Sequence, residues 1–111
     1  MKFGDIYLVN CDPSVDREYR KVRPAIVIQM EKINIKSPLV TVVPVSSQVE
    51  KFSLYDVFIE KDDKNRLMND SIIKVQHISS FDRTRFIKKI GEANSPTIRK
   101  VRGYLRKHFG L

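Results

Sequence analysis

The sequence predicts a mainly β (α+β) fold: a small, strongly bent antiparallel sheet or barrel followed by one C-terminal helix. Short apolar, β-branched segments recur along the chain, and turn residues separate them. A helix-start signal, Ser95-Pro96, appears only near the end. With 111 residues, the chain is the size of one domain, 1–111.

Three strands are predicted in the first half of the chain. Residues 3–10 form a nearly continuous apolar run, which indicates a strand buried on both faces. Residues 24–29 form the second strand, residues 30–36 a short helical connector, and residues 39–45 the third strand. Because Pro44 has no N–H to donate, we expect an edge or a bulge there.

The second half supplies three more strands and the helix. Strands are predicted at residues 55–60, 72–78 and 83–92, and Ser79-Ser80 is interpreted as the end of the fifth. The helix is expected to run from Ser95, as its N-cap, to about Phe109, with Gly110 ending it. Four apolar residues fall on one helical stripe: Ile98, Val101, Leu105 and Phe109.

The positive charge lies at the C-terminal end. Residues 1–82 hold 12 Lys/Arg and 12 Asp/Glu, whereas residues 83–111 hold nine Lys/Arg against Glu92 alone, which accounts for the net charge of +8. Such asymmetry indicates a polyanionic or acidic protein partner. The alternative is a basic helix face that is simply solvated.

Several classes of protein are disfavoured. The N-terminus lacks a signal-peptide core and no apolar run could span a membrane, so we expect a cytoplasmic protein without membrane contact. Cys11 is the single cysteine and is interpreted as a half-buried strand-end residue rather than a reactive thiol. His77 and His108 are far apart, so neither a metal site nor a cofactor is predicted.

A metal-free phosphate site is the chemistry that the residues favour. Arg23 precedes Pro24 at the mouth of a strand, where its guanidinium could grip a phosphate or close the loop onto Glu18. Ser46 follows the third strand, and its hydroxyl suits either a phosphate ligand or a turn. His77 could move protons at neutral pH, or it merely finishes a strand.

RNA carries its own nucleophile, the 2′-hydroxyl, so alignment, proton transfer and charge stabilisation suffice to cleave it. Arg23, Ser46 and His77 are therefore the candidate catalytic residues. A Ser46-His77-Asp82 triad is formally available but has no local motif to support it.

A long polar loop between the first two strands places Tyr19 among several cations, which suits single-stranded nucleic acid. The candidate RNA-binding residues are Arg17, Glu18, Tyr19, Arg20, Lys21, Ser47, Gln48 and Gln76.

Blocks along the whole chain resemble the MazF/PemK/Kid family of toxin endoribonucleases. The most specific are Gly4-Asp5-Ile6-Tyr7 and Arg23-Pro24-Ala25-Ile26-Val27-Ile28 at their mutual spacing. Weaker matches are Asp12-Pro13, Glu18, the segment 42–48 and the segment 70–73.

The resemblance implies an SH3-like barrel, a homodimer and metal-independent cleavage of single-stranded RNA at short sequences. It also implies an antitoxin partner whose acidic tail covers the RNA site. The phosphate-binding arginine of the family corresponds to Arg23, and its hydroxyl residue after the third strand corresponds to Ser46.

Two positions depart from the family pattern. Asp16 replaces the usual glycine of the first long loop, and Gln76 stands where many members have an acid. Because Gln76 cannot transfer a proton, either His77 replaces that acid or other residues do the acid–base work. A non-catalytic nucleic-acid binder and a gyrase-inhibitor-like toxin of the same fold are the alternative functions.

Overall fold

The computed structural model describes residues 1–11 and 22–111. These ranges contain seven strands: β1 (Asp5–Asn10), β2 (Val22–Val27), β3 (Leu39–Ser46), β4 (Asp56–Ile59), β5 (Ser71–Lys74), β6 (Ser79–Asp82) and β7 (Phe86–Glu92). The described ranges also contain two α-helices, α1 (Glu31–Asn34) and α2 (Ser95–Phe109), and two short 3-10 turns, at Val49–Lys51 and Arg83–Arg85. No helix in the described ranges is long and apolar enough to cross a membrane.

The strands form one antiparallel sheet in the order β4-β5-β3-β2-β1-β7, and β6 pairs separately with β3. The register sets Ile6 opposite Ile26 and Ile26 opposite Val43, so the centre of the sheet is apolar. The predicted fold class, a mainly antiparallel sheet with a C-terminal helix, is confirmed. Among the described residues the sheet is not closed, because β4 and β7 do not pair.

Pro44 marks the place where β3 changes its partner on one side. β3 pairs with β6 as far as Val42 and with β5 from Val45 onward, while Ala25 of β2 lies opposite Pro44 on the other side. A residue without an N–H fits such a break between two ladders. The irregularity expected at Pro44 is therefore found, as a change of partner that bends the sheet.

Apolar side chains cover both faces of the central strands. Ile6, Ile26 and Val43 belong to one buried cluster, which also includes Val101 of α2. On the other face a second cluster contains Val9, Ala25, Val27, Val40 and Val42. The expectation that the first strand is buried on both faces is confirmed.

The predicted fifth strand is too long, and the strand that follows it was missed. β5 ends at Lys74, and Ser79-Ser80, interpreted as a strand end, begins β6. Pairing with β3 explains the difference, since Ser80 lies opposite Thr41 and their hydroxyl oxygens are 2.7 Å apart. A cross-strand hydrogen bond on an exposed face thus overrides the weak strand propensity of serine.

The helix α2 has the predicted end but a different cap. The Asn94 side chain accepts a hydrogen bond from the Thr97 N–H at 2.9 Å, so Asn94, and not Ser95, is the N-cap. Gly110 ends the helix with φ of 69°, as expected. Of the predicted stripe, Val101 is buried, whereas Phe109 is 58% exposed and packs into no described core.

Asn94→Ala should lower the free energy of unfolding by about 1 kcal/mol, because one helix N–H loses its partner. Ser95→Ala, at the next position, should change it by less than about 0.5 kcal/mol. Urea denaturation of both variants measures the difference. Equal losses would contradict the assignment of the cap.

Candidate active site

A groove of about 570 Å³ opens where β2 begins and β3 ends. Its apolar lining comes from Leu8, Pro24, Val45 and Ile90, which neighbouring strands contribute. Leu8 lies opposite Pro24 on one side and opposite Lys88 on the other. The polar lining residues are Arg23, Ser46, Ser47, Gln48, Arg66, Asn69, Ser71 and Lys88.

The register between β2 and β3 brings Arg23 to Ser46. The observed pairs are Val27–Val42, Ile26–Val43 and Ala25–Pro44. Continued by two residues, the same register sets Arg23 opposite Ser46, and neighbouring strands lie about 4.8 Å apart. Both residues line the groove, and their joint role in one site stays a prediction.

Arg23 is exposed and forms no ion pair with any acid in the described part of the chain. Its guanidinium is therefore available to an anion, and it presents donors in a planar fork that matches phosphate. The alternative partner proposed from the sequence, Glu18, lies outside the described residues.

Ser46 is half-buried, and its hydroxyl oxygen accepts a hydrogen bond from the Gln48 backbone N–H at 3.1 Å. This contact fixes the hydroxyl at the end of β3 and leaves its proton free to donate. A serine hydroxyl has one proton to give and two lone pairs to accept with. The Ser46 hydroxyl can therefore accept the hydrogen bond of the turn and donate one to a phosphate oxygen at the same time.

Cys11 lies near this site but is not activated. Burial raises the pKa of the Cys11 thiol, against the opposing pull of the Arg23 and Arg85 charges. The thiol donates a weak hydrogen bond to the Val9 carbonyl at 3.6 Å. Since the thiolate is the reactive form, the structure supports the strand-end interpretation of Cys11.

His77 and Gln76 do not join the groove. Ile72 pairs with Ser46, and β5 then runs away from the groove to the turn that carries Gln76 and His77. His77 is exposed there, and Gln76 lines a separate cleft of about 200 Å³ beside Tyr104 of α2. Catalysis by His77 stays a prediction from the sequence that this geometry does not support.

The formal Ser46-His77-Asp82 triad is ruled out by distance. Asp82 lies opposite Leu39 at the start of β3, and Ser46 ends the same strand. Leu39 and Ser46 are seven residue steps apart, which corresponds to about 23 Å along an extended strand. The Asp82 carboxylate instead accepts hydrogen bonds from the Thr84 N–H and hydroxyl, which lower the pKa of Asp82.

The remaining predicted RNA-binding residues divide into two groups. Ser47 and Gln48 are exposed and line the groove. The five at positions 17–21 lie outside the described residues. Across the described ranges, no three His, Cys, Asp or Glu side chains come together to hold a metal ion.

Two cations of the groove were missed from the sequence, Arg66 and Lys88. Lys88 lies in a basic strand, but its face is set by pairing with Leu8, which the sequence does not show. Arg66 lies in a charged turn between β4 and β5, and the sequence of this turn is typical of a solvated loop. Neither carries a local signal, because both reach the groove only through long-range packing.

The comparisons identify the family. The family model described as "PemK-like, MazF-like toxin of type II toxin-antitoxin system" matches residues 2–109. The chain belongs to this family. It is 30% identical over 112 residues to the endoribonuclease MazF of Staphylococcus saprophyticus, an alignment that covers 100% of this chain and 92% of the relative.

Solved structures agree with the family assignment. The crystal structure of MazF from Deinococcus radiodurans superposes with a TM-score of 0.81 at 25% identity, covering 100% of this chain and 97% of that one. An endoribonuclease from a mycobacterial species, in complex with its cognate antitoxin, superposes with a TM-score of 0.79 at 14% identity. That alignment covers 100% of this chain and 96% of the mycobacterial chain, and at this identity it supports the fold alone.

Proposed function

We propose that this toxin-family protein is an endoribonuclease that cuts single-stranded RNA at specific sequences without a metal ion. The observation that carries the proposal is that Arg23, whose guanidinium pairs with no carboxylate of the described residues, lines one open groove with the Ser46 hydroxyl. The similarity to the Staphylococcus saprophyticus endoribonuclease supports the same reaction class.

In the proposed reaction, the 2′-hydroxyl of the substrate attacks the adjacent phosphorus and the bond to the 5′-oxygen breaks. The products are a 2′,3′-cyclic phosphate and a 5′-hydroxyl end. One proton leaves the 2′-oxygen and one is gained by the 5′-oxygen. Negative charge grows on the phosphoryl oxygens in between, and stabilising it accelerates the reaction.

Arg23 and Ser46 suit that charge. The Arg23 guanidinium donates two parallel hydrogen bonds to phosphoryl oxygens, and the Ser46 hydroxyl donates a third. Among the described residues that line the groove there is no carboxylate or imidazole, so this part of the site supplies charge stabilisation rather than proton transfer. A guanidinium stays protonated throughout the physiological range, which makes it a permanent substitute for a cation.

The proposed partners are an acidic-tailed antitoxin and a second copy of the chain, acting in the cytoplasm. The net charge of +8 and the cationic groove favour an acidic peptide. Large apolar side chains remain on the described surface, with Ile35 73% and Leu54 75% exposed, of the kind that a subunit interface covers.

Arg23→Ala should lower the rate of RNA cleavage in EDTA by about 100- to 1000-fold, the usual cost of removing a charge-stabilising donor. Arg23→Lys should recover only part of that loss, because a lysine keeps the charge without the fork. Ser46→Ala should also reduce the rate, whereas Ser79→Ala, an exposed serine of β6, should not. Gel analysis of a mixed-sequence RNA measures all four.

Wild-type cleavage by Arg23→Ala or Ser46→Ala in EDTA would show that the site is wrongly assigned. A gel shift by the wild-type protein without fragments would instead favour nucleic-acid binding without cleavage. Growth arrest that is insensitive to Arg23→Ala, without any action on RNA, would favour inhibition of a protein target.

His77→Ala should leave the cleavage rate and its pH profile unchanged, because His77 is exposed and outside the groove. The measurement is the rate between pH 5.5 and 8.5 for both proteins. Loss of an inflection of the pH–rate profile in the variant would show that His77 transfers a proton after all.

A further inference from the structure

We propose that Arg66 is a substrate-binding residue of the groove, which holds an RNA phosphate next to the one held by Arg23. The inference rests on the proposed function, since it assumes that the groove receives RNA. Arg66 lines the groove together with Arg23 and Ser46, although it lies in the loop between β4 and β5. It would thus supply a second anchor from a segment other than β2 and β3.

No carboxylate of the described residues neutralises the charge of Arg66. Its side chain is exposed and makes no ion pair with a carboxylate in residues 1–11 or 22–111. The neighbouring Asp62 is engaged elsewhere, because its carboxylate accepts the backbone N–H groups of Lys64 at 2.9 Å and Asn65 at 2.7 Å. An unpaired guanidinium at the mouth of a groove is well suited to phosphate.

The backbone of Arg66 is in the left-handed region, with φ of 55°, and it is the one described non-glycine residue with positive φ. Glycine adopts this conformation more easily because it has no Cβ to crowd the following carbonyl, and asparagine does so because its short polar side chain can hydrogen-bond locally. An arginine here therefore costs stability relative to those residues. Residues in such unfavourable backbone conformations cluster at binding and catalytic sites, which favours a binding role for the Arg66 side chain.

The turn around Arg66 is held rigidly. Asn65 is buried, and its side chain accepts from the N–H groups of Asp62 at 3.1 Å and Leu67 at 2.9 Å and donates to the Glu60 carbonyl at 2.8 Å. Leu67, on the other side of Arg66, is buried in the main core. Arg66 is thus an exposed residue between two fixed ones, and its position at the groove does not depend on a flexible loop.

The strand β7 packs closely against the same turn. A Cβ at Gly91 would lie 2.4 Å from the Asn65 carbonyl oxygen and 2.5 Å from that of Lys64, so only glycine allows this approach. The Glu92 N–H also donates to the Lys64 carbonyl at 3.0 Å. Since β7 carries Lys88 into the groove, one contact fixes the positions of both Arg66 and Lys88. The groove then presents cations from three separate segments.

The test compares Arg66→Asn, which removes the charge but accepts the left-handed backbone, with Lys64→Asn, which removes one charge from the same turn outside the groove. Arg66→Asn should raise KM for RNA roughly tenfold, with kcat within about twofold of wild type. The slope of log affinity against log salt should fall by roughly 0.7 for one lost phosphate contact on a single strand. Lys64→Asn should change KM and the slope much less.

Affinity is measured by fluorescence anisotropy with a 2′-O-methyl RNA, which binds without supplying the nucleophile. The melting temperature of Arg66→Asn should equal or exceed that of wild type, because strain is relieved. Arg66→Lys should recover part of the affinity while remaining as strained as wild type.

Equal effects of Arg66→Asn and Lys64→Asn would overturn the inference and leave the proposed function intact. A lower melting temperature with an unchanged KM would also overturn it, because the role of Arg66 would then be structural. If the wild-type protein binds the RNA without cutting it, the proposed function fails, and the anisotropy comparison still decides the role of Arg66. If the wild-type protein neither binds nor cuts RNA, both are overturned.

Discussion

The pairing of β2 with β3 is the constraint on which the site depends. Ala25 opposite Pro44 fixes the register, and that register carries the start of β2 to the end of β3. Shifting either strand by one residue would move each side chain into the cluster on the opposite face, where side chains of other sizes are packed. Core packing therefore favours the register that places Arg23 and Ser46 in the same groove. Stability and site geometry are therefore set by the same contacts.

Charge is the second constraint. Elsewhere in the described chain, some cations are paired with a carboxylate, such as Lys74 with Asp56 at 2.8 Å and Lys89 with Glu92 at 3.2 Å. The groove, by contrast, keeps Arg23, Arg66 and Lys88 without a described carboxylate in its lining. Cations that repel each other are stabilised by a polyanion, which suits both the proposed RNA substrate and the proposed acidic peptide. One electrostatic arrangement thus accounts for the two proposed partners.

The sequence alone was sufficient for features that depend on local chemistry. The second strand, predicted at 24–29 and found at Val22–Val27, the third, predicted at 39–45 and found at Leu39–Ser46, and the end of α2 at Gly110 all rest on backbone preferences of the residues concerned. The sequence was insufficient where contacts between residues far apart in the chain determine the structure. Ser79-Ser80 became a strand because Thr41 lies opposite, and His77 was assigned to a site that β5 runs away from. Arg66 and Lys88 reach the groove through packing against Gly91 and Leu8, which no local pattern reveals.

In the proposed mechanism, the Arg23 and Ser46 side chains act on the same phosphate. A double-mutant cycle on single-turnover RNA cleavage in EDTA, with Arg23→Ala, Ser46→Ala and the double variant, tests it most directly. Residues that act as a unit lose little more together than the worse of the two alone. We predict that the double variant is close to Arg23→Ala in rate. Losses that multiply fully would show that the two side chains act independently, and the account of a shared phosphate site would be contradicted.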